Sequence, residues 1–281
     1  EELRQQVRER YDRVVSLSGV RPQGDDMGFA YAGPFDPLMA AGSRAGELAA
    51  TQGEDGSWRF RARIETDGVF KGMDYSELGR DGAAEVGTCA RNAWELLRFA
   101  RMTGDQRAQA AGLKALAFMD RFEVPRAAQV WEVPVHTPDV LASSDACEAY
   151  LEGYLVTGER TYLDRAIYWA WTGLPFVYMW DVKDHEFLRY ASIPVFGATW
   201  FRGSWFGRPV QWNGLRYAYA LLELAKHDDS LDWRTIAEGI TISAMYQQSL
   251  EGKDKALWPD SVGAVDKVRS GWVFAPVQIL K

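Results

Sequence analysis

The feature that most constrains the fold of this chain is a short glycine turn between two helical segments, which recurs along the sequence. The turn reads Thr-Gly-Asp at residues 103–105 and Thr-Gly-Glu at residues 157–159, so that Gly104 and Gly158 are 54 positions apart. Glycine suits the left-handed position that ends a helix, and the acidic residue after it can cap the next helix. The repeat therefore predicts helical hairpins.

Apolar residues on both sides of these turns recur at intervals of three and four, which is the spacing of one face of a helix. They predict helical pairs over residues 90–122 and 143–174, with Leu97 and Leu151 again 54 positions apart. A third, looser pair covers residues 212–244, and the step from Leu151 to Leu222 is 71 positions. An insertion between Asp181 and Arg208, rich in aromatic residues and glycine, accounts for the longer step.

The N-terminal part contains two further predicted helices. One covers residues 3–17, where apolar residues keep helical spacing, and the other covers residues 34–51, where prolines mark its start. Basic and apolar residues then alternate over residues 59–64, which is the two-residue period of a strand. We therefore expect about eight helices and one short β-hairpin insertion near residues 57–72.

Repeated hairpins must pack against one another, because a single helical hairpin cannot bury its own apolar face. Ordinary solenoid repeats have tight connections, whereas the connections between these hairpins are long and aromatic. In a closed ring, such connections would meet around one mouth, and loops placed in this way often carry function. We therefore expect one all-α domain over residues 1–281, built as an (α/α) helical-hairpin toroid.

Two further motifs stand beside the hairpins: Gly-Glu-Asp-Gly-Ser-Trp at residues 53–58 and Val-Gln-Trp-Asn-Gly-Leu at residues 210–215. Together with the hairpins they resemble the six-hairpin (α/α)-toroid glycoside hydrolases and polysaccharide lyases, over roughly residues 30–250. The resemblance implies a toroidal fold and action on a carbohydrate. A complete ring of this kind has twelve helices, so this domain is either an incomplete ring or part of a longer chain.

Charge and composition exclude several classes of function. The formal net charge of −7 argues against a nucleic-acid or anionic-membrane binder, because those need a basic surface. No run of about 18 apolar residues is present, so we expect no membrane span. Two cysteines, Cys89 and Cys147, cannot make a metal site, and the sequence contains no phosphate loop or dinucleotide motif. We expect a carbohydrate substrate, no metal and no cofactor, and the oligomeric state stays open.

The sequence says little about localisation. Residues 1–10 are charged, so no signal peptide is recognisable there. A chain that begins at Glu1 is compatible with a mature form after cleavage and with a piece of a longer protein. A glycan-degrading function would favour the periplasm or secretion over the cytoplasm.

Candidate catalytic groups lie near the starts of the first helices of the hairpins, which line the inside of such a ring. Glycoside hydrolysis needs one carboxyl group to protonate the leaving oxygen and another to activate water or attack the sugar. Asp145 is our first choice for the acid and Glu85 for the second carboxylate, with Asp139 and Glu132 in reserve. His136 is the best placed of the three histidines for proton transfer. The alternative is that Asp145 only satisfies the amides of a helix start.

Aromatic residues are abundant, with 12 Trp, 12 Tyr and 13 Phe. Several lie in or beside the predicted connections, where a flat π surface can stack against a sugar ring. The candidate stacking residues are Trp58, Tyr75, Trp131, Trp200, Trp205 and Trp212. Gln211 and Arg216 lie close by in the sequence and can pair with sugar hydroxyls. The alternative for each aromatic residue is that it covers part of the core.

Two groups of arginines offer a surface for a carboxylate. Guanidinium groups bind a uronate carboxylate through forked hydrogen bonds. One group lies on the predicted strand and the other near the third hairpin: Arg59, Arg61 and Arg63, and Arg202, Arg208 and Arg216. The alternative for the strand arginines is a solvated face that pairs with surface acids.

The leading hypothesis is a glycoside hydrolase that acts on a polysaccharide or oligosaccharide, including one that contains uronate, through carboxylate acid/base catalysis. The rival on the same fold is a polysaccharide lyase, in which Tyr75 or His136 abstracts a proton and Arg216 stabilises the developing charge. A non-catalytic glycan-binding or scaffold module is the third hypothesis. A terpene cyclase is disfavoured by the absence of an Asp-x-Asp-Asp cluster, and a sugar epimerase by the scarcity of histidines.

Overall fold

The computed structural model describes residues 35–195, 205, 207–271, 273 and 274, together with Gln5 and Glu9. Its α-helices are α1 (Phe35–Thr51), α2 (Val86–Thr103), α3 (Gln106–Met119), α4 (Val140–Thr157), α5 (Arg160–Gly173), α6 (Gln211–Leu224) and α7 (Trp233–Gln247). The predominantly helical fold class is thus confirmed. Apart from Gln5 and Glu9, the helix predicted over residues 3–17 lies outside the described residues.

Three hairpins, α2–α3, α4–α5 and α6–α7, form the body of the fold, and α1 packs against the first of them. The turns have the predicted geometry, because Gly104 and Gly158 adopt φ angles of 77° and 75° in the left-handed region. Asp105 caps α3 as expected: its side chain accepts hydrogen bonds from the amides of Arg107 and Ala108 at 2.9 and 2.8 Å. Local sequence therefore determines where these helices end and begin.

Helix α4 is the centre of the structure. It lies between α2 and α6 and also packs against α5, its own hairpin partner. All of its residues from 140 to 153 are buried, including three acidic residues, Asp145, Glu148 and Glu152. Buried carboxylates are costly unless they are paired, so this helix needs partners for its acids. Glu152 has one in Arg101 of α2, which donates to both of its oxygens at 2.6 and 2.9 Å.

The predicted β-hairpin takes an irregular form. The backbone amide of Phe60 donates to Ala83 at 2.8 Å, and that of Tyr75 donates to Arg63 at 2.8 Å, so the two arms are antiparallel. Ile64 and Asp74 form a single isolated bridge. Two short 3-10 helices, Gly68–Phe70 and Tyr75–Leu78, interrupt the pairing, which extends beyond residue 72 to residue 83.

After α7 the chain returns to the start of α6 through a short two-stranded sheet that the sequence did not indicate. Strands β1 (Trp258–Pro259) and β2 (Val273–Phe274) pair in antiparallel fashion. The amide of Val262 donates to the carbonyl of Pro209 at 3.0 Å, just before α6. Residues 258–262 therefore lie against the first turns of that helix.

Among the described residues, none of the helices has the length and apolar character needed to cross a membrane.

Candidate active site at the start of the inner helices

The connections between hairpins meet over the starts of α2, α4 and α6. The amide of Gly87, at the start of α2, donates to the carbonyl of Arg126 at 2.9 Å. Arg126 belongs to the connection between α3 and α4, so this connection covers the start of both helices. The amide of Val140, at the start of α4, donates at 3.1 Å to Pro194 in the connection between α5 and α6. Two of the long connections therefore lie at the same end, as the ring-like arrangement predicts.

Gln129 joins these connections to α6. Its side chain is buried, donates to the carbonyl of Pro194 at 3.0 Å, and accepts from the side-chain amide of Asn213 at 2.9 Å. Asn213 is in the first turn of α6. One glutamine thus links two connections and a helix start.

Asp145 and Arg216 form an ion pair between α4 and α6. The guanidinium nitrogen Nη2 of Arg216 donates to Oδ1 of Asp145 at 2.6 Å and lies 4.0 Å from Oε2 of Glu148. Burial opposes the charge of Arg216, but the carboxylates of Asp145 and Glu148 outweigh it and raise the pKa of the guanidinium. Asp145 is 7% exposed and Glu148 is 3% exposed, so Asp145 is the more accessible of the two acids.

Glu85 and His136 form a second pair. Glu85 is the residue before α2, and its Oε1 lies 2.7 Å from Nδ1 of His136 and 3.7 Å from Nη1 of Arg126. The imidazole side chain is 65% exposed, whereas the carboxylate is only 9% exposed. An ionised carboxylate can only accept hydrogen bonds, so it holds the proton on Nδ1 and leaves Nε2 for exchange with a ligand.

Asp139, a reserve candidate for catalysis, is completely buried at the start of α4. Its carboxylate accepts from the amides of Ala142 and Ala128 at 2.8 and 3.1 Å, so it caps the helix and fastens the preceding connection. Burial raises the pKa of Asp139 to about 7, against the lowering effect of these two bonds and one from Gln129. We therefore assign Asp139 to the framework. The other reserve, Glu132, is half-buried beside Trp131 in the same connection.

Two tryptophans stack beside the Asp145–Arg216 pair. The rings of Trp131 and Trp212 are 6.4 Å apart at their centroids, with an interplanar angle of 27°. The indole Nε1 of Trp212 donates to Oδ1 of Asp260 at 3.1 Å. Trp212 and Arg216 are four positions apart on α6, so their side chains lie on the same face about 5–6 Å apart at Cβ.

Three other predicted binding residues lie within the framework of the fold. The ring of Tyr75 is 2% exposed in a hydrophobic cluster with Phe60 and Leu78. The half-buried Trp58 packs against two core clusters. Gln211 is buried, and its Oε1 accepts from the amide of Ser192 at 3.0 Å and from Nε2 of Gln247 at 2.9 Å. Its Nε2 donates to the carbonyls of Ile240 and Tyr190 at 2.8 and 3.4 Å. Trp205 is half-buried near the start of α6, and Trp200 lies outside the described residues.

The arginines of residues 59–63 pair with surface acids, as the alternative interpretation expects. Their partners are Asp55 for Arg59, Asp81 for Arg61 and Glu65 for Arg63. The arginines near the third hairpin have different contacts. Besides Arg216, Arg208 contacts the hydroxyl of Ser261 at 3.3 Å, and Arg202 lies outside the described residues.

The structure adds residues that sequence reasoning missed. Asp260 lies beyond the last predicted helix, where no periodic pattern directs attention to it. Arg126 and Gln129 belong to an irregular connection, and their partners are distant in the sequence. Only their proximity to His136 and Trp131, two to ten positions along the chain, could have suggested them. Among the described residues, no group of three or more His, Cys, Asp or Glu side chains could hold a metal ion.

The sequence matches no protein-family model and none of the curated proteins. The structure does match solved structures. An unsaturated glucuronyl hydrolase specific for heparin is 17% identical, with 84% of this chain and 53% of that chain covered and a TM-score of 0.51. A glycosyl hydrolase of family 88 from Bacteroides vulgatus is 12% identical, with 94% and 72% covered and a TM-score of 0.56. A sugar epimerase from a ruminal bacterium is 15% identical, with 86% and 64% covered and a TM-score of 0.55.

This chain spans only 53% of the length of the heparin-specific hydrolase and 64% of that of the epimerase. At identities of 12–17% the likeness establishes architecture, and these neighbours include both glycoside hydrolases and sugar epimerases. The order of hairpins, the inner position of α2, α4 and α6, and the structural matches agree with one another. The chain has the fold of the six-hairpin (α/α)-toroid glycosidase-like enzymes.

Proposed function

We propose that this protein is a glycoside hydrolase that acts on an oligosaccharide at the start of helices α2, α4 and α6. The observation that carries the proposal is the contact of Asp145 with Arg216. Arg216 lies one helical turn from Trp212, whose indole stacks with that of Trp131. A stacking surface near a carboxylate is what the binding and cleavage of a sugar require.

Hydrolysis of a glycosidic bond needs two proton transfers. The bond between the anomeric carbon and the leaving oxygen breaks, and that oxygen takes a proton from an acid. Water adds to the anomeric carbon and gives its own proton to a base, directly or after a covalent intermediate. Two groups that exchange protons must therefore flank the bond, and the candidates are Asp145 and the Glu85–His136 pair.

Asp145 is our candidate for the group that receives the proton of water. Its Oδ1 already accepts a hydrogen bond from Arg216 at 2.6 Å, so the carboxylate is held as an acceptor. This assignment differs from the sequence-based expectation, which favoured Asp145 as the acid. Arg216, which was expected from the sequence to bind substrate, positions Asp145 instead.

His136 is our candidate for the proton donor. Its exposed imidazole is oriented by Glu85, in the manner in which a buried carboxylate commonly orients a catalytic histidine. Glu85 then acts through the imidazole. Arg126, at 3.7 Å from the same carboxylate oxygen, helps to hold it in place.

The structural neighbours support a carbohydrate ligand without specifying it. One of them is a hydrolase specific for heparin, and another is an epimerase of sugars. Arg208 and Arg126 both lie near the paired indoles or the acids, and either could accept an acidic sugar through its guanidinium group. We therefore include uronate-containing oligosaccharides among the proposed substrates.

The test uses purified protein with unsaturated disaccharides from heparin and with cellobiose, followed by chromatographic detection of released sugars. If one of them is cleaved, Asp145→Asn and His136→Gln should each lower kcat by about two to four orders of magnitude. Asp229→Asn removes an exposed carboxylate in the turn between α6 and α7 and should leave kcat unchanged. Full activity in Asp145→Asn would contradict the proposal.

A polysaccharide lyase is the second candidate, and the exposure of His136 favours it over the remaining alternatives. In a lyase the imidazole removes the proton from the carbon beside a uronate carboxylate, the bond from the next carbon to the leaving oxygen breaks as a carbon–carbon double bond forms, and the leaving oxygen takes up a proton. Tyr75 is buried in a hydrophobic cluster, so we do not include it in this reaction. Uronate polymers that gain ultraviolet absorbance with the protein would identify the lyase. Binding of glycans that Asp145→Asn retains, without turnover by either protein, would identify a non-catalytic module.

A further inference from the structure

The segment that follows α7 holds Asp260 at a fixed position over the start of α6. On one side of it, the indole of Trp258 is buried with Leu215 and Ala244 and donates to the carbonyl of Ala244 at 2.6 Å. On the other side, the amide of Val262 donates to Pro209 at 3.0 Å. The carboxylate of Asp260 therefore lies between two anchors, one on each side along the chain.

This carboxylate determines how the Trp212 ring is oriented. The indole has a single hydrogen-bond donor, Nε1, and that donor reaches Oδ1 of Asp260 at 3.1 Å. Trp131 stacks against the same ring at 6.4 Å. The hydrogen bond constrains the edge of the ring and the stacking constrains one face.

The cost of burying Asp260 argues that it has a specific task. The carboxylate is half-buried, and burial raises its pKa, against the lowering effects of the Trp212 hydrogen bond and of the nearby Arg208 charge. Removing a carboxylate from water is unfavourable unless its partners compensate. An apolar residue at position 260 would avoid the desolvation cost of a carboxylate, but it would leave the indole N–H of Trp212 without this acceptor.

We propose that Asp260 is a positioning residue that holds the Trp212 indole as the stacking surface for a sugar ring next to the Asp145–Arg216 pair. Binding of a sugar to Trp212 rests on the proposed function, whereas the orientation of the indole ring by Asp260 does not. Asp260 acts through Trp212 and has no catalytic step of its own. The residue thus connects the segment after α7, which lies outside the hairpins, to binding of the substrate.

The first experiment requires no ligand. Protein labelled with 5-fluorotryptophan gives a fluorine spectrum in which the variant Trp212→Phe identifies the signal of Trp212. Asp260→Ala should shift or broaden that signal, and Asp260→Asn should largely restore it because the amide oxygen still accepts from Nε1. Asp229→Ala, which removes an exposed carboxylate, serves as the control and should leave the signal unchanged. An unchanged Trp212 signal in Asp260→Ala would overturn the proposal.

The second experiment measures kinetics on an unsaturated disaccharide from heparin. Asp260→Ala should raise KM about tenfold and change kcat by less than about twofold, because stacking contributes to binding of the ring. Asp260→Asn should restore KM. A fall in kcat at unchanged KM would contradict a positioning role. If the unmodified protein neither binds nor cleaves this sugar, the proposed function fails for that substrate, while the fluorine spectra still decide whether Asp260 orients Trp212.

Discussion

At the scale of single residues, the most consequential side chains of this protein are acids that the fold places out of water. Asp139 is completely buried, Asp145 and Glu148 nearly so, and each has a defined set of neighbours. Their roles differ with those neighbours. Backbone amides surround Asp139, which makes it a helix cap, whereas Asp145 pairs with the guanidinium group of Arg216. Residue type alone does not separate the two, and the sequence placed both among the catalytic candidates.

Asp139 gives a prediction for stability against pH. Because burial raises its pKa from 3.8 to about 7, the folded state keeps the proton after the unfolded state has lost it. The stability that this group contributes is therefore fully present below about pH 4 and is lost as the pH rises through about 7. Asp139→Asn cannot ionise, so the unfolding free energy of the unmodified protein relative to this variant should fall by about 2–3 kcal/mol between about pH 5 and about pH 8.

Urea denaturation of both proteins across this range measures the difference. Asp232→Asn provides a control of opposite sign, because hydrogen bonds from Thr235 lower the pKa of this exposed cap of α7. Its contribution should instead be lost as the pH falls. A difference between the unmodified protein and Asp139→Asn that stays constant with pH would show that Asp139 does not titrate in this range.

At the scale of elements, the hairpins depend on close approach between helices. Gly173 is the last residue of α5, and a Cβ atom there would lie 2.4 Å from the ring of Tyr217 on α6. Tyr217 is completely buried and its hydroxyl donates to the carbonyl of Ala170, so its ring has little room to move. The small residue at the end of α5 is therefore required by the neighbouring hairpin.

Gly173→Ala should lower the free energy of unfolding by about 1–3 kcal/mol through overpacking. The matched control is Gly46→Ala in the middle of α1, where a Cβ atom would meet nothing within 4 Å. That variant should stabilise the protein by about 0.5–1 kcal/mol, because alanine loses less backbone entropy than glycine in a helix. Thermal unfolding of the two variants should shift in opposite directions, and equal shifts would contradict the packing argument.

The elements were also the part of the structure that the sequence predicted best. Helix ends at Gly104 and Gly158 depend on local chemistry, namely a left-handed glycine, and such signals can be read without tertiary information. The capping acid expected after each glycine is confirmed for Asp105, whereas the side chain of Glu159 makes no capping hydrogen bond. The two-stranded sheet after α7 could not be predicted in this way. Its strands are two residues long and pair across a gap of 13 intervening residues, so neither has a periodic pattern of its own.

At the scale of the whole molecule, the candidate site depends on connections that meet at one end. The Asp145–Arg216 contact joins residues 71 positions apart, and the Glu85–His136 contact joins residues 51 positions apart. Periodicity indicated that these residues lie near helix starts, but it cannot show which acids share a partner. The sequence therefore predicted the region of the candidate site, and the pairing within it required the packed structure.

Gln129 gives the prediction at this scale. Gln129→Ala removes the acceptor of the Asn213 amide and one of the two donors to Pro194, which should cost about 1–3 kcal/mol of stability. Because the lost bonds join connections, amide hydrogen exchange should increase near residues 125–131 and 190–195. Exchange in α4 beyond its first turn should stay slow, because Gln129 reaches this helix at its cap, Asp139. Uniformly faster exchange, including α4, would contradict this view of a local link.

The enclosure of α4 by its neighbours has an evolutionary consequence. Selection for a new ligand can act on the irregular segments at the helix starts, while the hairpins keep their apolar interfaces. A change of ligand would then require substitutions at a few loop positions and would leave the packed hairpins intact. Residues such as Asp139 are exceptions, because a substitution there would also remove the hydrogen bonds that cap α4 and fasten the connection before it.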